Sequence, residues 1–401
     1  MTPWLTVIGV GLDGADGLGD GAKAALAGAV VVAGSERLLD ACGVAGDRRY
    51  VWPSPFTQGL AHITGLRGQP VAVLASGDPM HFGVGASLAN VVAPAEMTVL
   101  PSLSAFSMAA ARLGWALQDV RCLSVHGRPL ETLNGELQPG ARLLLLTRDG
   151  DAPSEIMSLL MQAGYGGTRV TILENLGGAD EARHELLAEE HSFDSYAPLN
   201  TVALDCVADE DVQALPLVPG LPDGAFLHDG QLTKREVRAA TLAALTPVPG
   251  QRLWDVGAGC GSVAIEWLRC APRGQAVAFE RDGERIGMIE HNALRLGVPR
   301  LSVVAGDVPA TLTGQAPPDA IFHGGALAND DVFAACWQAL AGGGRMVANA
   351  VTLEGEAALA RRHREHGGEL VRIDVSRVTS VGRYRGMQPA MAVMQWRAVK
   401  P

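Results

Sequence analysis

Leu253-Trp-Asp-Val-Gly-Ala-Gly-Cys-Gly-Ser-Val-Ala-Ile-Glu-Trp267 decides the reading of this 401-residue chain. The run reads as a buried strand, a loop with glycine at every second position, and a helix. Gly257, Gly259 and Gly261 let the backbone turn tightly and approach a ligand with no Cβ in the way. The helix N-terminus beyond them offers free N–H groups to a carboxylate or phosphate. Asp255 stands on the strand before the glycines, whereas a dinucleotide site places its acid later, on the ribose. An acid before the loop suits S-adenosylmethionine (SAM), whose amino-acid end carries an ammonium as well as a carboxylate.

The pattern continues downstream. Ala276-Val-Ala-Phe-Glu280 is an apolar strand ending in an acid about twenty residues after the loop, where an acid can take both ribose hydroxyls of an adenosine. Val303-Val-Ala-Gly-Asp307 ends a further strand in an acid that suits the adenine amino group. Asp319-Ala-Ile-Phe-His-Gly-Gly325 ends a fourth in a polar, glycine-rich turn and adds His323 and Gly324 to the candidate contacts. Each acid alone reads equally well as a cap or loop end; the series in order points to one ligand edge of an open α/β sheet. Helices over about 233–245, 284–296, 331–340 and 354–366 alternate with these strands and one near 344–350, which predicts a doubly wound, mostly parallel sheet. Strands at 369–376 and 390–397, joined by a loop, predict an antiparallel edge.

The length allows two or three domains. Acidic Ala208-Asp-Glu-Asp211 runs into Pro/Gly-rich Leu215-Pro-Leu-Val-Pro-Gly-Leu-Pro-Asp-Gly224, which breaks every periodicity. It sets the expected domains at 1–212 and 213–401. A net charge of −11 argues against a general nucleic-acid binder. The six cysteines form no C-x-x-C pair, which predicts neither a zinc site nor a disulfide framework and favours a reducing cytoplasm. The opening Met1-Thr-Pro-Trp-Leu-Thr-Val7 enters a strand with no basic segment, so no secretory leader is read. No apolar run is long enough for a bilayer.

The N-terminal half is also α/β, with strands expected near 5–10, 30–33, 71–75, 98–100, 142–146, 169–173 and 201–204. Helices are expected near 20–27, 85–92, 105–113 and 153–163. Gly9-Val-Gly-Leu-Asp-Gly14 follows the first strand and by itself also fits a nicotinamide cofactor. Ala75-Ser-Gly-Asp-Pro-Met-His-Phe-Gly-Val-Gly85 and Pro101-Ser-Leu-Ser-Ala-Phe-Ser107 add two further strand-end loops. N-capping explains the serines, and a turn before Pro79 explains Asp78, as readily as ligand contact.

These pieces carry a resemblance. Val7-Ile-Gly-Val-Gly-Leu12, Ser76-Gly-Asp-Pro-Met-His-Phe-Gly83, Pro101-Ser-Leu-Ser-Ala-Phe106, Ser124-Val-His-Gly-Arg128, Leu173-Glu-Asn-Leu176 and Pro198-Leu-Asn-Thr-Val202 make the N-terminal half resemble the tetrapyrrole methylases. Those enzymes bind SAM in a cleft between two α/β lobes. The first loop continues Leu12-Asp-Gly-Ala-Asp16, where family members commonly carry a proline. Leu232-Thr-Lys-Arg-Glu-Val-Arg238, the Asp255–Gly261 loop and His323-Gly-Gly325 are similar to the decarboxylating cobalt-precorrin methyltransferases of the class I SAM fold. The resemblance implies a SAM site in each half. In the first half the implied contacts are Gly9, Gly11, Gly77, Asp78, Ser104, Asn175 and Thr201; in the second, Thr233 joins the strand-end residues. It further implies two methylations of a reduced, metal-free precorrin, at ring carbons 5 and 15, with decarboxylation of the ring C acetate, in cobalamin biosynthesis. Carbon 5 would fall to the N-terminal half, and carbon 15 with the decarboxylation to the C-terminal half. Family members are usually oligomeric, which implies a homo-oligomer.

That chemistry asks for alignment rather than covalent catalysis. No nucleophile and no metal are expected, and His323, Tyr384 and Asp78 are the candidates for handling a ring proton. A polycarboxylate substrate on an acidic protein needs local cations: Arg383 and Arg385, in the loop Ser380-Val-Gly-Arg-Tyr-Arg-Gly-Met-Gln-Pro389, and Arg121 and Arg128. Arg361, Arg362 and Arg364 read as a solvated helix face, and Cys260 as a packing residue. Methylation of RNA or protein, nicotinamide-dependent redox chemistry and non-catalytic SAM sensing stay as alternatives.

Overall fold

The computed structural model describes residues 3–191 and 194–401; residues 1 and 2, read above for a leader, lie outside them. The chain forms two compact units: unit 1 comprises Met1–Arg128 and Gln138–Val212, unit 2 Pro129–Leu137 and Gln213–Pro401. A single cut at 212 would thus leave residues 129–137 on the wrong side. That segment packs within unit 2, where Asn134 Nδ2 donates to the Leu294 carbonyl at 3.2 Å. Among the described residues no helix is long and apolar enough to cross a membrane.

Unit 1 is built from two sheets. β1 (Leu5–Val10), β2 (Val31–Gly34), β3 (Arg49–Val51), β4 (Val71–Ser76) and β5 (Met97–Leu100) form a parallel sheet in the order β3-β2-β4-β1-β5. β1 and β4 are apolar nearly throughout and buried, as parallel strands covered on both faces require. β6 (Arg121–Ser124), β7 (Arg142–Leu146), β8 (Arg169–Glu174), β9 (Ala182–Leu187) and β10 (Asn200–Asp205) form the second sheet, ordered β6-β7-β10-β8-β9. In that sheet β10 runs antiparallel to both of its neighbours.

Unit 2 carries a seven-stranded sheet. Its strands are β11 (Arg252–Val256), β12 (Gln275–Glu280), β13 (Ser302–Ala305), β14 (Ala320–His323), β15 (Arg345–Ala350), β16 (Glu369–Ile373) and β19 (Val393–Val399). The order β13-β12-β11-β14-β15-β19-β16 is parallel until β19, which enters antiparallel between β15 and β16. Side chains alternate across the sheet. Leu253 joins Ile265 and Trp267 in one core, and Trp254 joins Phe279, Phe333 and Trp396 in the other. With β11 to β14 parallel, Val256, Glu280, Ala305 and His323 all end on one edge.

The stretch read as a loop around Arg383 is instead a hairpin of β17 (Ser376–Val381) and β18 (Tyr384–Pro389). Val381 pairs with Tyr384, leaving the two-residue turn Gly382-Arg383 with glycine at φ +57°. Glycine first in a two-residue turn matches strand twist, and that closes the ribbon.

Candidate functional site

At the unit 2 edge the three glycines are left-handed: Gly257 at φ +74°, Gly259 at +59° and Gly261 at +80°. A side chain there would strain the backbone. Space is short as well, since a Cβ on Gly257 would lie 3.1 Å from the Gly325 nitrogen. Gly324 N–H donates to the Val256 carbonyl at 2.9 Å, locking the turn after β14 onto the end of β11.

The acids brace this edge. Asp255 Oδ2 accepts from the Ala264 N–H at 3.0 Å, tying β11 to the helix Ser262–Cys270. Its Oδ1 is buried with no partner. Burial pushes the carboxyl up to about 7, the Ala264 N–H opposing and Glu280 adding to the rise. Glu280 Oε2 accepts from Gly259 N–H at 2.9 Å, and Oε1 from Arg281 and Asp282 N–H at 2.9 and 3.1 Å. Three donors leave this carboxylate room for about one more. Asp307 is exposed and pairs with Arg281 at 3.5 Å. His323 is fully buried on β14 beside the Gly325 backbone, with no well-directed hydrogen bond at either ring nitrogen. Burial, then nearby Arg362, holds it down to about 4, so the ring is neutral at pH 7.

The structure places the hairpin residues and corrects the reading of Arg362. Tyr384 is 66% exposed near the hairpin tip, unlike buried His323, and Arg383 lies over its ring at 5.0 Å. Arg385 pairs with Ser380 and points to the other hairpin face, because side chains alternate along a strand. Arg362 is not solvated: it pairs with Asp330 and Glu365 and lies 4.0 Å over Phe333.

In unit 1 the ends of β1 and β4 and the loop after β5 converge. A Cβ on Gly9 would lie 2.3 Å from the Gly77 carbonyl and 2.6 Å from the Ser102 nitrogen. On Gly11 it would lie 2.5 Å from Asp13 Oδ1. Asp78 Oδ1 accepts from Met80 N–H at 2.8 Å, the turn role foreseen for it. Ser104 caps the helix Ala105–Leu113 through Ser107 N–H at 3.1 Å. Asn175 stands after β8 at φ +46°, and buried Thr201, second in β10, lies opposite Leu146 and Leu173. A Cβ on Gly178 would lie 2.9 Å from Leu12 Cδ1, so the Asn175 turn meets the first glycine loop. Arg128 lies 5.0 Å over Phe82, itself strained at φ +57°. Arg121 does not join them. It opens β6 opposite Leu143, whereas Ser124 at the other end faces Leu146 and so the Thr201 edge. The strand separates them by about 10 Å.

Sequence reading missed the buried polar frame of unit 2. Arg238, fully buried, donates from Nε to Glu266 Oε1 at 2.6 Å and stacks 4.7 Å over Phe226. Glu266 also accepts from Gly220 and Leu221 N–H at 2.6 and 3.0 Å. The available signal was one acid inside the apolar helix run Ser262-Val-Ala-Ile-Glu-Trp-Leu268, since a charge there demands a buried partner.

Comparison with known proteins agrees with this architecture. Residues 5–190 match the tetrapyrrole (corrin/porphyrin) methylases and residues 224–400 the precorrin methyltransferase domain. A Sinorhizobium protein named precorrin-6Y C(5,15)-methyltransferase [decarboxylating] is 49% identical over the whole chain and 97% of its own length. Two shorter relatives are named for single steps. A Saccharolobus solfataricus probable cobalt-precorrin-6B C(15)-methyltransferase (decarboxylating) is 32% identical over 34% of this chain and 72% of its own. A Salmonella typhimurium cobalt-precorrin-7 C(5)-methyltransferase is 29% identical over 45% of this chain and 90% of its own. None of the three names specifies RNA or protein as substrate. The full-length match, joined to two distinct glycine-lined edges in one chain, places this chain in the family of precorrin-6Y C5,15-methyltransferases (decarboxylating).

Proposed function

We propose that each unit holds its own SAM site, that unit 1 methylates carbon 5 of the precorrin, and that unit 2 methylates carbon 15 and decarboxylates the ring C acetate. As a member of its family the chain is a SAM-dependent precorrin methyltransferase of cobalamin biosynthesis. The division rests on one observation: two separate glycine-lined strand edges stand in a chain whose shorter relatives are each named for one carbon.

The unit 2 edge fits SAM by its own chemistry. Asp255 Oδ1 is a buried acceptor lacking a donor, which an ammonium supplies. The left-handed glycines leave room where side chains would stand. Glu280 takes one ribose hydroxyl with its remaining acceptor site, Asp307 the adenine amino group, and Thr233 with Gly324 lines the donor pocket. Bound SAM supplies a methyl group already activated by its sulfonium. The protein's share is alignment with an electron-rich bridging carbon, worth about 7–11 kcal/mol where geometry is near attack. His323, neutral at the end of β14 beside the Gly325 backbone, is the candidate in unit 2 to take or return a proton as the ring C acetate loses carbon dioxide and becomes a methyl group. In unit 1, Gly9, Gly11, Gly77, Asp78, Ser104, Asn175 and Thr201 form the second donor site, with Arg128 over Phe82 meeting a substrate carboxylate. Arg383, at the hairpin turn, serves that purpose on unit 2.

The test uses the full chain with reduced precorrin and SAM, and reads product mass. Gly9→Val fills the unit 1 edge, Gly257→Val the unit 2 edge. The Gly9 variant is expected to add one methyl and lose one carbon dioxide, and the Gly257 variant to lose nothing. Carbon dioxide loss in the Gly257 variant would move decarboxylation to unit 1.

A further inference from the structure

We infer that Asp229 and Arg285 are positioning residues whose ion pair holds the segment 227–233 against the glycine loop of unit 2 and so sets SAM affinity there. The inference rests on reading that loop as a donor pocket.

Residues 220–234 run mostly as irregular chain up to the helix Arg235–Leu245, and they are tied down at three places. The root is held by the fully buried Arg238. Arg238 donates to the Thr233 carbonyl at 2.5 Å and to Asp223 at 3.2 Å, besides Glu266. The middle is held by Asn292, also fully buried. Its Oδ1 accepts from Leu227 N–H at 2.8 Å. Its Nδ2 donates to the Leu227 carbonyl at 2.9 Å and to the Cys260 carbonyl at 3.0 Å. One side chain thereby links the segment to the glycine loop. At the far end Asp229 Oδ1 accepts from Gln231 N–H at 2.9 Å, and Oδ2 from Arg285 Nε at 2.9 Å. Gln231 then lays its carbonyl against the loop, 3.3 Å from where a Gly259 Cβ would stand. The Gln231 N–H first, then Arg285, holds the Asp229 carboxyl below its usual range, so the pair stays charged at neutral pH.

The anchoring side chains of root and middle, Arg238 and Asn292, are fully buried, whereas both members of the pair are partly open to water, at 33% and 24% side-chain exposure. It is the fastening that can be loosened without unfolding the unit. Arg285 lies in the helix that follows Glu280 directly, so a shift there is felt at the pocket rim.

Calorimetric titration of the full chain with SAM tests this. The unit 2 site is identified as the one lost in Glu280→Ala. Asp229→Asn and Arg285→Gln are each expected to weaken that site about 3–5-fold and leave the other site and the melting temperature in place. The double variant is expected to be no weaker than either single one, because both remove the same contact. An Arg285→Gln loss that adds to the Asp229→Asn loss would mean that Arg285 grips SAM directly, and overturns the inference. An unchanged Glu280-dependent site in both single variants overturns it alone. Absence of any site lost in Glu280→Ala overturns the donor-pocket reading as well.

Discussion

The first glycine loop and the one after β11 share a strand–turn–helix plan, yet their glycines answer to different constraints. After β11 the demand is conformational, since Gly257, Gly259 and Gly261 all sit at positive φ. After β1 the demand is space: Gly9 is not left-handed, but a Cβ there would lie 2.3 Å from the Gly77 carbonyl. The surroundings differ as well. The unit 2 loop is braced by buried Asp255 and Glu280 and backed by the Arg238–Glu266 pair. The unit 1 edge is held by backbone contact and by short caps from Asp78 and Ser104. A similar signature thus conceals two designs, one stiffened by charge and one by close packing.

The comparison breaks most sharply at Arg238. Arg238→Met strands Glu266 as an uncompensated buried charge, and breaking such pairs costs about 3–5 kcal/mol. Urea unfolding is expected to lower the unit 2 transition by that order and leave unit 1 unmoved; coincident loss in both would mean that the units do not unfold separately.

Next comes Asp255. Its folded value, about 7, lies above the ordinary carboxyl value, so folding favours the protonated form. Its contribution to stability is therefore intact below about pH 4, declines as pH rises towards 7, and is level above. Asp255→Asn is expected to remove that decline, worth on the order of a few kcal/mol, and to weaken SAM binding in unit 2. His323 acts in the opposite sense. Its folded value, about 4, lies below the ordinary one, so stability is lost as pH falls from about 6.5. Unfolding free energies across pH 4–8 for Asp255→Asn and His323→Gln separate the two; parallel profiles would remove both assignments.

The glycines themselves give a smaller, paired effect. Gly9→Ala is expected to slow the carbon 5 step roughly 100-fold, and Gly259→Ala the carbon 15 step, since misplacement by about an ångström costs that much. Single-turnover product masses check the pair, and a variant that slows both steps equally would dissolve the distinction. Smallest is Arg383→Glu. On an exposed turn, charge reversal is expected to raise the precorrin KM several-fold and leave SAM binding intact; an unchanged KM removes the hairpin from the substrate path.

How far the fold was legible depended on burial. β1, β7 and the helix Ala105–Leu113 were read with their observed bounds because their apolar residues face a core. β3, β6, β9 and the β17–β18 hairpin were missed. The first three are sheet edges, none of the four contains a fully buried residue, and an edge strand is made by its neighbour's backbone rather than by its own pattern. The helices Glu36–Ala41 and Phe56–Gly65 were missed too.

By itself the sequence determined the strand-end acids, the glycines at each turn, the α/β class and the family, because these depend on local backbone geometry and strand burial. Tertiary structure alone decided how the carboxylates are used. Three backbone donors fill most of Glu280, a neighbouring helix takes one oxygen of Asp255, and strand direction carries Arg121 to the far edge. Arg238 and Glu266 meet across 28 residues of chain. The reason is physical: a buried polar atom takes its partner from whatever segment packs against it, and that segment is fixed by the fold rather than by proximity in sequence.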